Sequence, residues 1–235
     1  MTALGAEEIR TRVESDFNRI VDVLNQKIAL QSISAKGITA DHMKRSAQFV
    51  ADLLREVGVD TKVVQSHNPD GTPGAWEVIG SKNVSEDAPT VLLYAHHDVQ
   101  PVPDPNVWNT DPFVGTEIDT RLYGRGAADD GGGIAIHSGA LKALGDDLKV
   151  NIKVFIEGEM GSPSFIPFIE EHRDEFASDV IIVADSGNWS AEIPSLTTSL
   201  RGNTDIDVHI KALEHPVHSG QYGGPILDAN TLAAM

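Results

Sequence analysis

The chain has 235 residues, which is ample for one packed core and borders on the size of two domains. Its 35 acidic residues outnumber its 18 basic residues, giving a formal net charge of −17, and this argues against nucleic-acid binding because few basic groups could displace phosphate counterions. No cysteine is present, so disulfides and thiolate metal sites are excluded, and any zinc must be bound by His, Asp or Glu.

The amino terminus does not resemble a secretory signal, because it is polar and carries Glu7 and Glu8. The longest apolar runs, such as residues 91–95 and 180–184, are far too short to cross a bilayer. We therefore expect a soluble, cytoplasmic protein with no membrane partner.

Two long helices are predicted near the start of the chain. The first is indicated by apolar residues spaced three and four apart, which share one helix face. They are Ile9, Val13, Phe17, Ile20, Leu24 and Ile28. The same spacing recurs over residues 43–57, and Gly58 is a plausible helix stop.

Strands and helices are predicted to alternate through the middle of the chain. The predicted strands are residues 61–65, 76–79, 90–95, 151–156 and 179–184. Helices are predicted over residues 132–144 and 162–171, the second capped by Ser162 with Pro163 at its first position. This alternation indicates an α/β fold with a mixed, largely parallel sheet flanked by helices.

Three of these strands end in residue types that bind metals. His96 and Asp98 follow the strand at 90–95, Glu157 and Glu159 follow that at 151–156, and Asp185 follows that at 179–184. Ligands of such sheets gather at the carboxyl ends of the strands. The coincidence predicts a cation site there.

A glycine-rich stretch, residues 123–133, could suggest a phosphate-binding loop. However, Asp129 occupies the third glycine position of a dinucleotide fingerprint, and an acidic pair would repel pyrophosphate. Two adjacent carboxylates before a helix suit a cation better, and one of them could bridge two metal ions.

Residues 93–101, 122–130 and 185–202 together resemble the carnosinase-like zinc dipeptidases. Their wider metallopeptidase family includes acetylornithine deacetylase, succinyl-diaminopimelate desuccinylase and carboxypeptidase G. The resemblance runs from Gln31 to Met235 and corresponds to the amino-terminal portion of such enzymes. It implies hydrolysis of dipeptides or small acylated amino acids at a site of two Zn²⁺ ions, with Mn²⁺ or Co²⁺ as alternatives, in a homodimer.

The resemblance also implies roles for individual residues. His96, Asp129 and Asp185 would bind metal, with Asp129 bridging two ions, while Asp98 would orient His96. His218 matches a lid histidine that reaches the substrate, although a turn residue beside glycines is an equally good interpretation. The other histidines match no ligand position and are expected to be surface or structural residues. They are His42, His67, His137, His172, His209 and His215.

Residues 157–162 depart from the family pattern. The family usually has Glu-Gly-x-Glu-Glu-x-Gly-Ser, in which the adjacent glutamates are a general base and a metal ligand, and this chain is two residues shorter. It reads Glu157-Gly158-Glu159-Met160-Gly161-Ser162. Aligned from the strand, both functional carboxylates are absent. Aligned backwards from Ser162, Glu159 takes the metal position, and no catalytic base remains unless Glu157 or Glu159 reorients. Gly131 also replaces the lysine that usually follows the acidic pair.

The expected organisation is a catalytic, metal-binding domain over residues 1–202, incomplete, and the truncated start of an α+β lid or dimerisation domain over 203–235. A half-exposed strand is predicted at 205–210 and a helix at 227–235. The function predicted is a metallodipeptidase impaired by the short 157–161 segment and the absent second half. The alternatives are a non-catalytic, degenerate or truncated relative that binds at most one metal ion, and an N-acyl-amino-acid deacylase.

Overall fold

The computed structural model describes residues 4–235 and contains two compact units, which divide between Gly187 and Asn188. The helices are α1 (Ala6–Ala29), α2 (Asp41–Glu56), α3 (Gly131–Leu144), α4 (Phe165–Glu171), α5 (Arg173–Phe176), α6 (Ser219–Tyr222) and α7 (Ala229–Ala233). The strands are β1 (Asp60–His67), β2 (Pro73–Lys82), β3 (Thr90–His96), β4 (Thr116–Ile118), β5 (Arg121–Tyr123), β6 (Asn151–Glu157) and β7 (Val180–Val183). Short 3₁₀ turns lie at Ser34–Lys36, Pro105–Val107 and Gly145–Asp147.

The first unit is built on a five-stranded sheet with the strand order β1-β2-β6-β3-β7. Strand β3 pairs in parallel with both β6 and β7, whereas β2 pairs antiparallel with β1 and β6. The predicted α/β fold is therefore confirmed, with a mixed sheet that is parallel on the side of β3. Strands β4 and β5 form a separate hairpin.

Side chains on the two faces of the sheet enter two different cores. Along β6, Ile152, Val154 and Ile156 join the larger cluster with residues of α2 and α3, while Phe155 joins a smaller cluster with α4 and α5. Successive side chains of a strand point to opposite faces, so β6 separates the two cores. Burial on both faces explains its nearly continuous apolar sequence.

The predicted helices are largely confirmed. Helix α1 spans the residues of the predicted apolar pattern, although Phe17 of that pattern is 58% exposed. Helix α2 ends just before Gly58, whose φ of +84° suits glycine. Helices α1 and α3 pack together, and they approach so closely that a Cβ on Gly139 would lie 2.8 Å from Cδ1 of Ile20.

The helix predicted to begin at Ser162 instead begins at Phe165, so the capping prediction was wrong. The Ser162 side chain is buried and hydrogen-bonds the Ser164 hydroxyl at 2.9 Å. Ser164 also bonds Ser66 on the neighbouring strand β1. These serines are thus occupied by a tertiary hydrogen-bond network, which outweighs the local capping preference.

The strand predicted at residues 205–210 was also wrong, because those residues have no regular secondary structure. A strand needs a paired neighbour, and within the second unit the described residues form only isolated bridges, Ser190 with Ile193 and Gly223 with Ile226. The helix predicted over 227–235 is present but shorter, as α7. The expected boundary between a metal-binding domain and a lid at residues 202–203 stays a prediction.

Among the helices of residues 4–235, none combines the length and the apolar character required of a membrane span.

We expect Phe155→Ala to lower the free energy of unfolding by about 3–5 kcal/mol, the usual cost of emptying a buried phenylalanine site. Phe155 is 2% exposed and its ring contacts those of Tyr94, Phe165, Phe168 and Phe176. Urea denaturation measures the loss. Ile166→Ala on α4 is the control, since that side chain is 61% exposed and its loss should change the midpoint little.

Candidate metal centre

The parallel register of the sheet brings three strand ends to one edge. His96 ends β3 and lies opposite Glu157, the last residue of β6. On the other side of β3, Tyr94 lies opposite Val183, the last residue of β7, and Asp185 follows two residues later. Polar residues from separated segments therefore converge because parallel strands share a carboxyl edge.

The imidazole of His96 lies between carboxylates. Its Nδ1 is 2.9 Å from Oδ1 of Asp98, and its Nε2 is 2.9 Å from Oδ1 of Asp129 and 3.9 Å from Oδ2 of Asp185. The His96 side chain is 5% exposed, so its ring is held between these groups with little access to water. Nδ1 is committed to Asp98, which leaves Nε2 directed at the two other carboxylates.

Asp98 is itself fixed from two further directions. Its Oδ2 accepts a hydrogen bond from the Ser34 hydroxyl at 2.8 Å, and its Oδ1 accepts one from the Met160 backbone N–H at 3.2 Å. Burial opposes ionisation of Asp98, but the hydrogen bonds from His96 and Ser34 outweigh it and hold the pKa below its ordinary value. A buried, ionised carboxylate thus orients the histidine ring.

The adjacent residues Asp129 and Asp130 have different roles in the fold. The Asp129 side chain is 71% exposed, and its carboxylate faces His96. Asp130 is buried, where it accepts hydrogen bonds from the N–H groups of Gly133 and His96 at 3.1 and 3.0 Å. Asp130 therefore caps α3 and ties that helix to β3, which positions Asp129 beside the histidine. The peptide bond between the two aspartates is cis.

His96, Asp129 and Asp185 each offer one ligand atom, and these atoms all lie within 4.8 Å of one another. Ligand atoms about 2.0–2.2 Å from a zinc ion must lie within roughly 4 Å of each other, so a small contraction would suit an ion. One nitrogen and two carboxylate oxygens form a donor set that suits Zn²⁺, and oxygen-rich sets also accept Mn²⁺. The three residues fit a divalent metal.

The two glutamates after β6 lie in different environments. Glu157 is buried, and its carboxylate accepts hydrogen bonds from the Tyr94 hydroxyl and, at 3.0 Å, from the Gly161 N–H. Burial raises the pKa of Glu157, although the Tyr94 hydrogen bond opposes the rise. Glu159 is half-buried and is not part of the three-residue cluster.

His218 lies in the second unit, where its ring Nδ1 accepts a hydrogen bond from the Gly220 N–H at 3.1 Å. The side chain thereby caps the short helix α6. This is the local, turn-stabilising contact that the sequence allowed as an alternative. Its contact with a substrate stays a prediction.

Four buried residues near the site were not singled out as functional from the sequence. Asp130 was noted only as one of a pair, and Glu157 only as a strand end. Glu77 on β2 accepts a hydrogen bond from the Gly158 N–H at 2.7 Å, and Lys27 on α1 donates one to the His97 carbonyl at 2.7 Å. Lys27 could have been noticed, because it follows Ile20 by seven residues and so interrupts the apolar face of α1.

Burial and neighbouring charges shift the pKa values of several groups at the site. Burial alone would lower the pKa of His96, but the hydrogen bond to Asp98 and the surrounding carboxylates raise it to about 9. Burial, reinforced by the charge of Asp185, raises the pKa of Asp130 to about 7. By contrast, burial lowers the pKa of the neighbouring His97 to about 4, and its Nε2–H donates to the Trp76 carbonyl.

Comparison with known proteins places this site in a family. The model of peptidase family M20/M25/M40 matches residues 92–222, which include His96, Asp129 and Asp185. The chain belongs to this peptidase family. It is 38% identical over 218 residues to cysteinylglycine-S-conjugate dipeptidase of Corynebacterium striatum, covering 90% of this chain and 46% of that protein. It is 32% identical over 232 residues to the beta-Ala-His dipeptidase of Homo sapiens, covering 93% and 46% respectively.

Solved structures share the fold of this chain. The crystal structure of human carnosine dipeptidase 1 superposes with a TM-score of 0.69 at 30% identity, over 78% of this chain and 41% of that one. The dipeptidase Dug1p of Saccharomyces cerevisiae, at 20% identity and a TM-score of 0.70, shares the fold over 96% of this chain and 50% of its own. The chain thus spans about half the length of the curated relatives that it matches.

We expect metal binding at pH 7 to release about one proton per ion, because only the neutral imidazole of His96 can bind a metal. Its raised pKa, about 9, keeps the ring protonated at pH 7 without metal. Calorimetric titrations in buffers with different ionisation enthalpies measure the release, which should diminish as the pH approaches 9. Binding at pH 7 without proton release would contradict the assignment of His96 as a ligand.

Proposed function

We propose that this chain provides the metal-binding half of a metal-dependent dipeptidase. The convergence of His96, Asp129 and Asp185 at the carboxyl edge of the sheet supports the proposal most directly. Membership of peptidase family M20/M25/M40 and similarity to several proteins named as dipeptidases support it further. The substrates we propose are dipeptides.

In this proposal His96, Asp129 and Asp185 bind the ion, and Asp98 orients His96 through Nδ1. We propose zinc, because one imidazole and two carboxylates are typical zinc ligands and the chain has no thiol; Mn²⁺ or Co²⁺ are alternatives. When bound, such a cation supplies activation of water and polarisation of the scissile carbonyl. The chain's own residues supply the orientation of the ligands and a shielded position for His96.

Within the described residues, the site lacks a clearly positioned base for proton transfer. Glu157 already accepts hydrogen bonds from Tyr94 and Gly161, so it is not free to act as a base. Glu159 is the remaining carboxylate of the 157–162 segment. We propose that it either binds a second metal ion or accepts a proton as the base. Because a positioned base contributes about 10²–10⁴-fold to rate, we propose that hydrolysis by this chain is slow.

Further parts of the proposal concern the surroundings of the site. We propose that residues 203–235 begin a lid domain in which His218 contacts the substrate, and that the longer form is a homodimer. A cytoplasmic location without nucleic-acid partners accords with the acidic composition and the lack of cysteine.

We expect Asp98→Asn to weaken Zn²⁺ binding by about 10–100-fold, the usual effect of removing a carboxylate that orients a ligand histidine. Asp146→Asn is the matched control, since it makes the same change of charge at an exposed position. Isothermal titration calorimetry measures both. Equal affinities for the two variants would show that Asp98 does not orient the metal ligand.

The function itself is tested by hydrolysis of Cys-Gly and β-Ala-His with added Zn²⁺ or Mn²⁺. Inserting Met-Glu between Gly158 and Glu159 restores the family spacing, and we expect it to raise the rate by about 10²-fold or more. Insertion of Met-Gln is the matched control, with the same length but no added carboxylate. No metal-dependent hydrolysis by either the parent chain or the Met-Glu variant would favour a non-catalytic relative, and cleavage of N-acyl amino acids alone would favour a deacylase.

A further inference from the structure

Lys27 lies inside the protein directly behind the candidate metal centre. It is 3% exposed, and it is the one lysine or arginine among the buried residues of the described chain, 4–235. Its Nζ donates hydrogen bonds to the His97 carbonyl at 2.7 Å and to the Ser32 hydroxyl at 2.8 Å. The peptide group that it contacts joins His97 to Asp98, one residue after the proposed ligand His96.

Gly131, the first residue of α3, packs against α1 beside Lys27. A Cβ on Gly131 would lie 3.4 Å from Cγ of Lys27, 3.0 Å from Cδ1 of Leu24 and 2.4 Å from the Gly126 carbonyl oxygen. Helix α1 can therefore bring the lysine close to the start of α3, where Asp129 and Asp130 lie.

The hydrogen bonds of Lys27 do not by themselves explain a buried charge. The Ser32 hydroxyl already donates to the same His97 carbonyl at 2.6 Å, and the Ser46 hydroxyl approaches it at 3.4 Å. A neutral side chain could therefore fill this position without leaving the carbonyl unpaired. An ammonium is costly to bury unless opposite charges lie nearby. Burial lowers the pKa of Lys27 to about 8, while the charges of Asp98 and Asp130 oppose the fall, so the side chain is mostly ionised at pH 7.

Carboxylates outnumber cations around this point. Asp98, Asp129, Asp130, Glu157 and Asp185 come from four separate segments and lie around a single residue, His96. Without a metal ion, positive charge inside the protein reduces their mutual repulsion. Lys27 is a source of such charge that does not occupy the ligand positions.

We propose that Lys27 is a built-in countercation of the metal centre. Its charge holds the carboxylates together when no metal ion is bound and, by repulsion, weakens the binding of a divalent ion. The proposal rests on the proposed metal-binding function. Lys27 touches neither a ligand atom nor a substrate, so it acts on the metal centre only by positioning the carboxylates through its charge.

The test is Lys27→Met, which keeps the length of the side chain and removes its charge. Without metal, we expect a lower thermal midpoint than that of the parent chain, because the buried carboxylates lose their partner. With Zn²⁺, we expect a dissociation constant lower by about tenfold or more, because like charges repel strongly where water is scarce. The two effects have opposite signs, which a packing role does not produce.

Two controls separate charge from hydrogen bonding. Ser32→Ala removes a hydrogen bond to the same carbonyl without changing charge, so it should lower the thermal midpoint and leave Zn²⁺ affinity equal or weaker. Lys149→Met makes the same change of charge at an exposed position and should alter neither quantity. Calorimetric titration and thermal denaturation, with and without Zn²⁺, measure all four proteins.

The outcomes distinguish this inference from the proposed function. A parent chain that binds no divalent ion overturns the proposed function and, with it, this inference. A parent chain that binds Zn²⁺ while Lys27→Met binds it equally or more weakly overturns the countercation alone. If Lys27→Met does not fold without metal, its refolding is measured with added Zn²⁺ or Mn²⁺; recovery supports the proposal, and failure to recover overturns it.

Discussion

Repulsion between carboxylates is the constraint on which the first unit of this protein depends. The parallel pairing of β3 with β6 and β7 forces acidic residues of three strand ends towards one edge. The fold accommodates them by giving each a separate partner. Asp98 is hydrogen-bonded to Ser34 and His96. Asp130 accepts a hydrogen bond from the N–H of Gly133 at the start of α3, and Glu157 accepts one from the Tyr94 hydroxyl. The remaining carboxylates, Asp129 and Asp185, face Nε2 of His96 at 2.9 and 3.9 Å.

This division explains why neighbouring residues with the same side chain behave differently. His96 is held protonated by the carboxylates around it, whereas the buried His97 is kept neutral and its ring bonds the Trp76 carbonyl. Asp129 stays largely exposed while Asp130 is enclosed. Strand alternation and the helix start, rather than residue type, decide which member of each pair faces the site.

The sequence alone was sufficient to predict those helices and strands whose residue patterns reflect burial. The apolar period of α1 and the short apolar runs of the sheet strands are read directly from residue spacing, and the strand ends identify His96, Asp98 and Asp185. Contacts between distant segments could not be read in this way. Ser162 looked like a helix cap because the tertiary bond between its partner Ser164 and Ser66 is invisible in the sequence. Residues 205–210 alternate like a strand, although the described part of their unit offers no partner strand.

The short segment after β6 is held by contacts that a longer one would have to break. Glu77 accepts the Gly158 N–H, and a Cβ on Gly158 would lie 2.7 Å from the Trp76 carbonyl oxygen, so the backbone here is pressed against β2. At the far end, the buried hydroxyls of Ser162 and Ser164 hold the chain against Ser66. With both ends fixed, the turn between them closes through the Gly161 N–H bond to Glu157. The carboxylate nearest His96 along the sheet edge is therefore used to stabilise the turn, so the length of this segment, more than the supply of acidic residues, limits its catalytic use.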